Sequence, residues 1–178
     1  IFGTSICYTR ANIEAVTSDE FLRMISEKGA RFGFYFHYMP VGNNAVLDLM
    51  PTMEQREYMI KRIREIRSPQ CEIGFFPMDF QNDGEYVGGR NYFHINSAGD
   101  AEPCVFIHFS NTNIHENSIL EILQSPLFMA YHNGQPFNNN HLRPCPMLEN
   151  PEFLQKMVHE TGAHQTNMES PETVEHLC

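Results

Sequence analysis

Five cysteines are scattered along the 178-residue chain, at Cys7, Cys71, Cys104, Cys145 and Cys178. Two stand in settings that suit ligation. Cys104 closes the run Gly99-Asp-Ala-Glu-Pro-Cys104: a turn glycine, four residues, then a cysteine at a strand. Cys145 lies between Pro144 and Pro146. Proline turns the chain away from a ligand and removes a competing backbone donor, and a cysteine followed by proline is common among iron–sulfur ligands. The competing reading is a buried core thiol, since free cysteine is among the most buried residue types. Cys7 and Cys71 are read that way. Among the nine histidines, His94, His108, His115 and His141 fall near Cys104 and Cys145 in sequence. A mixed Cys/His zinc site is therefore the alternative, although none of them shows the HExxH or His-x3–5-His spacing that would make it specific. His94 and His108, on alternating strands, are expected to pack apart.

The elements that must position these residues fall into two styles. Over the first 90 residues, strand-like and helix-like segments alternate. Phe2 to Tyr8 is a β-friendly run. Thr17 and Glu20 have the spacing of a capping box, opening a helix that runs to about Lys28 and stops at Gly29, with Phe21, Leu22, Met24 and Ile25 on its apolar face. Phe32 to Tyr38 reads as a buried strand and Pro40 to Pro51 as a loop. Thr52 and Gln55 form a second capping box before a long helix, with Met59, Ile60, Ile63 and Ile66 inward and Arg56, Lys61, Arg62, Arg64 and Arg67 on the wet face. Ile73 to Phe80 returns as a strand broken by Pro77. The order β-α-β-α-β predicts an α/β fold with parallel strands. Three strands and two helices cannot cover both faces of such a sheet, which points to a missing N-terminal portion.

After Asn82-Asp-Gly84 the pattern changes. Tyr92 to Asn96 and Glu102 to Phe109 flank the turn Ser97-Ala-Gly-Asp100, a hairpin. Short helical turns follow at Ser118 to Leu123 and Pro126 to Tyr131. The Asn-rich segment Phe137 to Arg143 is expected to satisfy backbone groups around the Cys145 loop. Asn150 caps a helix with Pro151 at its first position, ending at Gly162, and Ser170-Pro171 starts another.

Composition narrows the classes. With 12 basic against 22 acidic residues, the formal charge is −10, which argues against a general nucleic-acid binder. No apolar run reaches the roughly 18–20 residues of a membrane span, and the first residues lack the form of a signal peptide. An odd, scattered cysteine count suits an intracellular chain better than a disulfide framework, so a cytoplasmic location is expected. The chain opens at Ile1 within an apolar run and stops at Cys178, as if cut from something longer.

The Gly99–Cys104 spacing after a hairpin, with Tyr92-Phe-His-Ile-Asn96, Asp100-Ala-Glu-Pro-Cys-Val-Phe106, Ser118-Ile-Leu-Glu-Ile-Leu123 and Ser125-Pro-Leu-Phe128 around it, resembles the second half of the Cys-x(9–15)-Gly-x4-Cys signature of SPASM and twitch auxiliary domains. Those domains follow the barrel of many radical SAM enzymes and bind extra 4Fe–4S clusters. The whole chain resembles the C-terminal half of such an enzyme. The resemblance implies the later part of a (β/α) barrel over residues 1–82 and a small α+β auxiliary module with a β-hairpin over 83–178. It implies 4Fe–4S and S-adenosyl-L-methionine as cofactors, and an oxidoreductase that generates a 5′-deoxyadenosyl radical. It further implies an electron donor, a small-molecule or peptide substrate, and the missing N-terminal half of the barrel as partners.

The chain departs from the pattern in two places. The radical SAM signature Cys-x3-Cys-x2-Cys is absent. The first auxiliary cysteine should lie within Gly84-Glu-Tyr-Val-Gly-Gly-Arg90, where there is none. Either this copy lost that ligand or the chain is short by a few residues around Gly88-Gly89, and the second is expected. Cys104 and Cys145 cannot fill the four thiolate positions of a cubane by themselves, and Cys178 is the further candidate. In the barrel half, Thr9, Arg10 and Asn12 follow a strand end, where the family contacts SAM. The alternative for them is a solvated turn. Gly42 would let the backbone approach a ligand closely. His37 or Tyr38 would point into the barrel, and Asp79, Asn82 and Asp83 could line its cavity, against the plainer readings of a core histidine and an Asn-Asp-Gly turn.

Overall fold

The computed structural model describes residues 1–40, 45–67, 74–77, 88–90, 92–140, 142–143 and 145–167. The chain divides into two compact units, Ile1–Gln81 and Asn82–Cys178.

In the first unit β1 (Thr4–Tyr8), β2 (Phe32–His37) and β3 (Gly74–Pro77) form a parallel sheet in that order. Thr4 through Tyr8 pair with Gly33 through His37, and Phe32 through Tyr35 pair with Gly74 through Pro77. Two short helices, α1 (Ile13–Val16) and α2 (Asp19–Glu27), connect the first two strands, and α3 (Met53–Ile66) connects the second and third. The expected β-α-β-α-β order is present. Among the described residues the sheet stays open at three strands, and no barrel closes.

Local chemistry explains the helix limits, with one correction. Thr52 and Gln55 do form a reciprocal capping box, with Gln55 N–H donating to Thr52 Oγ1 and Thr52 N–H to Gln55 Oε1. Thr17 and Glu20 do not. The cap of α2 is Ser18, whose Oγ accepts from Phe21 N–H at 3.2 Å. Thr17 ends α1 instead, and its hydroxyl donates back to Ile13 O at 2.6 Å. Either residue can cap, so a neighbouring short helix shifted the register by one. Gly29, at φ 91°, ends α2 as expected.

Tyr8, Ile13, Ile25, Tyr35, Met59 and Ile63 are among the residues of this unit's core. Arg56, expected on the wet face of α3, is buried at 4% exposure. It precedes Met59 by three and Ile63 by seven residues, so it lies on the inward stripe by spacing. Opposite it is the equally buried His37, with Arg56 Nη2 3.3 Å from His37 Nε2.

The second unit carries two short antiparallel ladders. β4 (His94–Ile95) pairs with β5 (Ala101–Glu102), and β6 (Phe109–Ser110) pairs with β7 (His164–Gln165). The hairpin is where it was expected, but its second arm is interrupted. Pro103 has no N–H to give a ladder, and the chain turns at Cys104, whose carbonyl accepts from Ile107 N–H at 3.0 Å. Three helices follow: α4 (Ile119–Leu123), α5 (Pro126–Gly134) and α6 (Pro151–Thr161), the last ending at Gly162 with φ 64°. The segment from Ser170 lies outside the described residues. Among the described residues no helix is long and apolar enough to cross a membrane.

Candidate metal centre

The turn that leads to Cys104 is built from side chains of its own loop. Asn96 Oδ1 accepts from the N–H groups of Ala98 and Asp100, and Asn113 Nδ2 donates to Ala98 O and to Asp100 Oδ1. Gly99 takes φ 91°, and a Cβ there would meet Asn113 Oδ1 at 2.7 Å and the His115 ring at 2.8 Å. Both conformation and space therefore demand glycine. The residue before Pro103 is anchored as well. Glu102 is 1% exposed, and its Oε1 accepts from Thr166 Oγ1 at 2.5 Å and Asn96 Nδ2 at 3.1 Å.

His94 and His108, expected to pack apart, both stand at this carboxylate. His94 Nε2 is 4.0 Å from Glu102 Oε2, and His108 Nδ1 is 3.8 Å from Oε1. Burial pushes the Glu102 carboxyl up, but His108 and the hydrogen bonds from Thr166 and Asn96 outweigh it and hold the group below the usual carboxylate range. Glu102 thus keeps its negative charge inside the unit. These two histidines are turned to a carboxylate rather than to the cysteines.

Cys104 itself is buried, at 2% exposure, with the Tyr92 hydroxyl 3.5 Å from its Sγ. Cys145 is half-buried. Its carbonyl accepts from Asn150 Nδ2 and from Glu149 N–H, both at 3.1 Å. Asn150 also donates to Arg143 O and accepts from Asn138 Nδ2. Asn150 occupies the position before α6 but makes no side-chain cap. It holds the cysteine loop instead, and Asn138 joins the Asn-rich segment to it through the Asn150 side chain rather than through a backbone group.

Cys104, Cys145 and Tyr92 all act electrostatically on Tyr131. This residue is fully buried on α5, and its hydroxyl has no hydrogen-bond partner among the described residues. Burial pushes its phenol well up, and negative charge at Cys104, Cys145 and Tyr92 pushes it further, so all three groups lie within electrostatic reach. The helix carrying Tyr131 is fixed by Asn111, whose Oδ1 accepts from Leu127 N–H at 2.9 Å while its Nδ2 donates to Thr161 O at 3.1 Å. On the ring, Phe137 packs edge-on at 5.6 Å. Gly89, at φ 69°, lies against Tyr131 and Pro103, where a Cβ would meet Tyr131 Cγ at 3.1 Å and Pro103 Cβ at 3.2 Å.

An unpartnered hydroxyl in an apolar core costs about 1–3 kcal/mol. The described residues offer two cysteines of the second unit, Cys104 and Cys145, as ligands for an iron–sulfur group. Among them no set of three or more His, Cys, Asp or Glu is arranged to hold a metal ion. Cys178, Cys71, His141 and the stretch before Gly88 lie outside the described residues, and so do Gly42, Asp79, Asn82 and Asp83.

In the first unit Thr9, Arg10 and Asn12 are engaged in local structure. Asn12 Oδ1 accepts from Thr9 N–H at 2.7 Å, and Asn12 Nδ2 donates to Cys7 O at 3.1 Å. Arg10 Nε donates to Met50 O at 3.0 Å, and Gln55 Nε2 donates to Arg10 O at 3.0 Å. They stand at the C-terminal end of β1, beside the start of α3. Tyr38 Oη accepts from Val46 N–H at 3.1 Å. Cys7 is exposed, against the expectation of a core thiol.

Sequence reasoning did not single out Tyr131, Glu102 or Arg56. Tyr131 carries no local signal, because its role depends on two cysteines brought to it by other elements. Glu102 lies two residues before Cys104, and its place within the Gly99–Cys104 run was the available clue.

Residues 87–147 match the family model of the SPASM iron–sulfur cluster-binding domain. The matched segment spans the hairpin, Tyr131, Cys104 and Cys145. It bears out the resemblance read from the Gly99–Cys104 run and its surroundings. No curated protein and no solved structure matches the chain.

Proposed function

We propose that this chain is the C-terminal part of a radical SAM enzyme, whose second unit holds an auxiliary 4Fe–4S cluster. The observation that carries the reading is the match of residues 87–147 to the iron–sulfur domain model, a segment that holds the buried Cys104 and the Cys145 loop clamped by Asn150. Cys104 and Cys145 are the assigned ligands, and Cys178 is a further one. A bound cluster would supply one-electron chemistry or a site for substrate. The residues of this chain keep Cys104 out of water, hold the Cys145 loop through Asn150, and keep charge off the ligands by engaging His94 and His108 at Glu102.

The first unit is the later portion of the SAM barrel in this reading. Its parallel strands and the polar turn after β1 support that, with Thr9, Arg10, Asn12 and Gly42 as contacts to S-adenosyl-L-methionine. The intact enzyme cleaves that cofactor reductively to a 5′-deoxyadenosyl radical, using the N-terminal half of the barrel with its own cysteine signature and an electron donor. The substrate is a small molecule or a peptide, and the setting is cytoplasmic.

Anaerobic reconstitution with iron and sulfide tests the cluster assignment. Brown, oxygen-labile protein with matched iron and sulfide is expected, and both contents should fall in Cys104→Ala and Cys145→Ala. Unchanged contents in both variants would overturn the assignment. Tightly held zinc without iron would favour a zinc-stabilised binding module, a reading weakened by His94 and His108 facing Glu102.

A further inference from the structure

Helix α4 is apolar on the side it turns to solvent as well as on the side it buries. Ile122 is fully buried, whereas Ile119, Leu120 and Leu123 are 54%, 64% and 38% exposed. Leu123 follows Ile119 by four residues and Leu120 by three, so the three side chains share one face of the helix. No other described helix exposes more than one large apolar side chain. Single exposed aliphatics are ordinary, but adjacent ones mark a surface that meets another molecule. The charge around this face is of one sign. Glu121 stands one residue beyond Leu120, and Glu116 lies in the turn before the helix, both exposed. The backbone N–H and hydroxyl of Ser118 bond the Glu121 carboxylate and hold it below the usual carboxylate range. No Lys or Arg occurs between Arg90 and Arg143. Residues 82–178 hold three of the chain's twelve basic residues and twelve of its twenty-two acidic ones, so nine of the ten net negative charges fall in the second unit.

We infer that the exposed face of α4 docks a basic amphipathic peptide, with aliphatic side chains at helical spacing and Lys or Arg beside them. An apolar stripe takes the aliphatic side chains of a partner helix laid against it. The carboxylates of Glu116 and Glu121 attract Lys and Arg, and the net charge of the unit steers a cationic segment toward it. The same charge disfavours the other occupants of such a face. Anionic lipid surfaces hold apolar helix faces flanked by Lys and Arg, and α4 has neither. A second copy of this chain would bring the same carboxylates against each other across a two-fold contact. The inference concerns the surface of the second unit and does not depend on a bound cluster.

The test titrates the full chain into a fluorescently labelled synthetic peptide of Leu and Lys at helical spacing, and into its counterpart with Glu in place of Lys, read by anisotropy. The Leu/Lys peptide should bind and the Leu/Glu peptide should not. Ile119→Gln combined with Leu120→Gln should weaken binding about tenfold or more, the loss expected from one or two buried aliphatic contacts. Glu116→Gln combined with Glu121→Gln should weaken it and reduce its salt dependence, since glutamine keeps the cap at Ser118 while removing the charge. Glu14→Gln, an exposed acid of the first unit, should leave binding unchanged. Equal binding of the Leu/Glu peptide, or unchanged binding in either paired variant, would overturn the inference. A lowered urea midpoint in the paired apolar variant would also overturn it, because the face would then be covered by the chain itself. So would a dimer that this variant abolishes, or binding to phosphatidylserine vesicles in place of the peptide, each of which assigns the face to another occupant.

Discussion

His37 and Arg56 show how a single pair of residues makes stability depend on pH. Burial, reinforced by the adjacent Arg56 guanidinium, pushes the His37 imidazole down from 6.5 to about 3. The folded first unit therefore holds His37 neutral, accepting from Arg56, while the unfolded chain protonates it near the ordinary value. A lowered folded pKa means that the unfolded state binds the extra proton. The stability tied to His37 is complete above pH 6.5 and is lost progressively as pH falls toward 3. Urea denaturation of the wild type across that window should show a loss of a few kcal/mol, on the order set by linkage. The His37→Gln variant should lack that component, and a pH slope equal to wild type would refute the assignment. At Gly99 the left-handed backbone and the 2.7 Å approach to Asn113 act together. Gly99→Ala should cost about 1–3 kcal/mol of second-unit stability by denaturant midpoint. A neutral substitution there would show that the turn relaxes freely.

At the scale of elements, caps and loop clamps decide where the helices stand. The reciprocal box at Thr52 and Gln55 satisfies two backbone donors at the start of α3, the helix that carries Arg56 toward the sheet. Thr52→Ala should lower stability by about 1 kcal/mol, read from chemical denaturation. Asn111 and Asn150 are different: Asn111 ties the start of α5 to the end of α6, and Asn150 ties the start of α6 to the loop before it. Asn150 bonds the carbonyls of Arg143 and Cys145, so Asn150→Ala should cost about 1–3 kcal/mol and speed alkylation of Cys145. An unchanged alkylation rate would show that the loop is held by other contacts. Helix starts such as Thr52 were legible because a cap is a bond between residues three apart. The shift from Thr17 to Ser18 was not, because two adjacent hydroxyl residues offer the same local bond and only the packing of α1 chose between them.

For the molecule as a whole, the division into two units gives a direct expectation. A ligand that binds only the native form stabilises the unit that holds it. Loading iron and sulfide should raise the thermal midpoint of the second unit and leave that of the first unchanged, as followed by calorimetry. Removing the iron with a chelator should reverse the shift. Movement of the first transition alone would place the ligands elsewhere. By itself the amino-acid sequence determined the alternation β-α-β-α-β, the hairpin at Ser97–Asp100, most helix limits, and the family resemblance around Cys104. These rest on hydrophobic period, turn residues and caps, which act over a few positions. Only the tertiary structure decided that Arg56 is buried against His37 and that His94 and His108 share Glu102. It likewise decided that the Tyr92 hydroxyl lies 3.5 Å from the buried Cys104 sulfur. Each of these pairs residues from separate elements, and such pairing is set by how the elements pack rather than by any spacing along the chain.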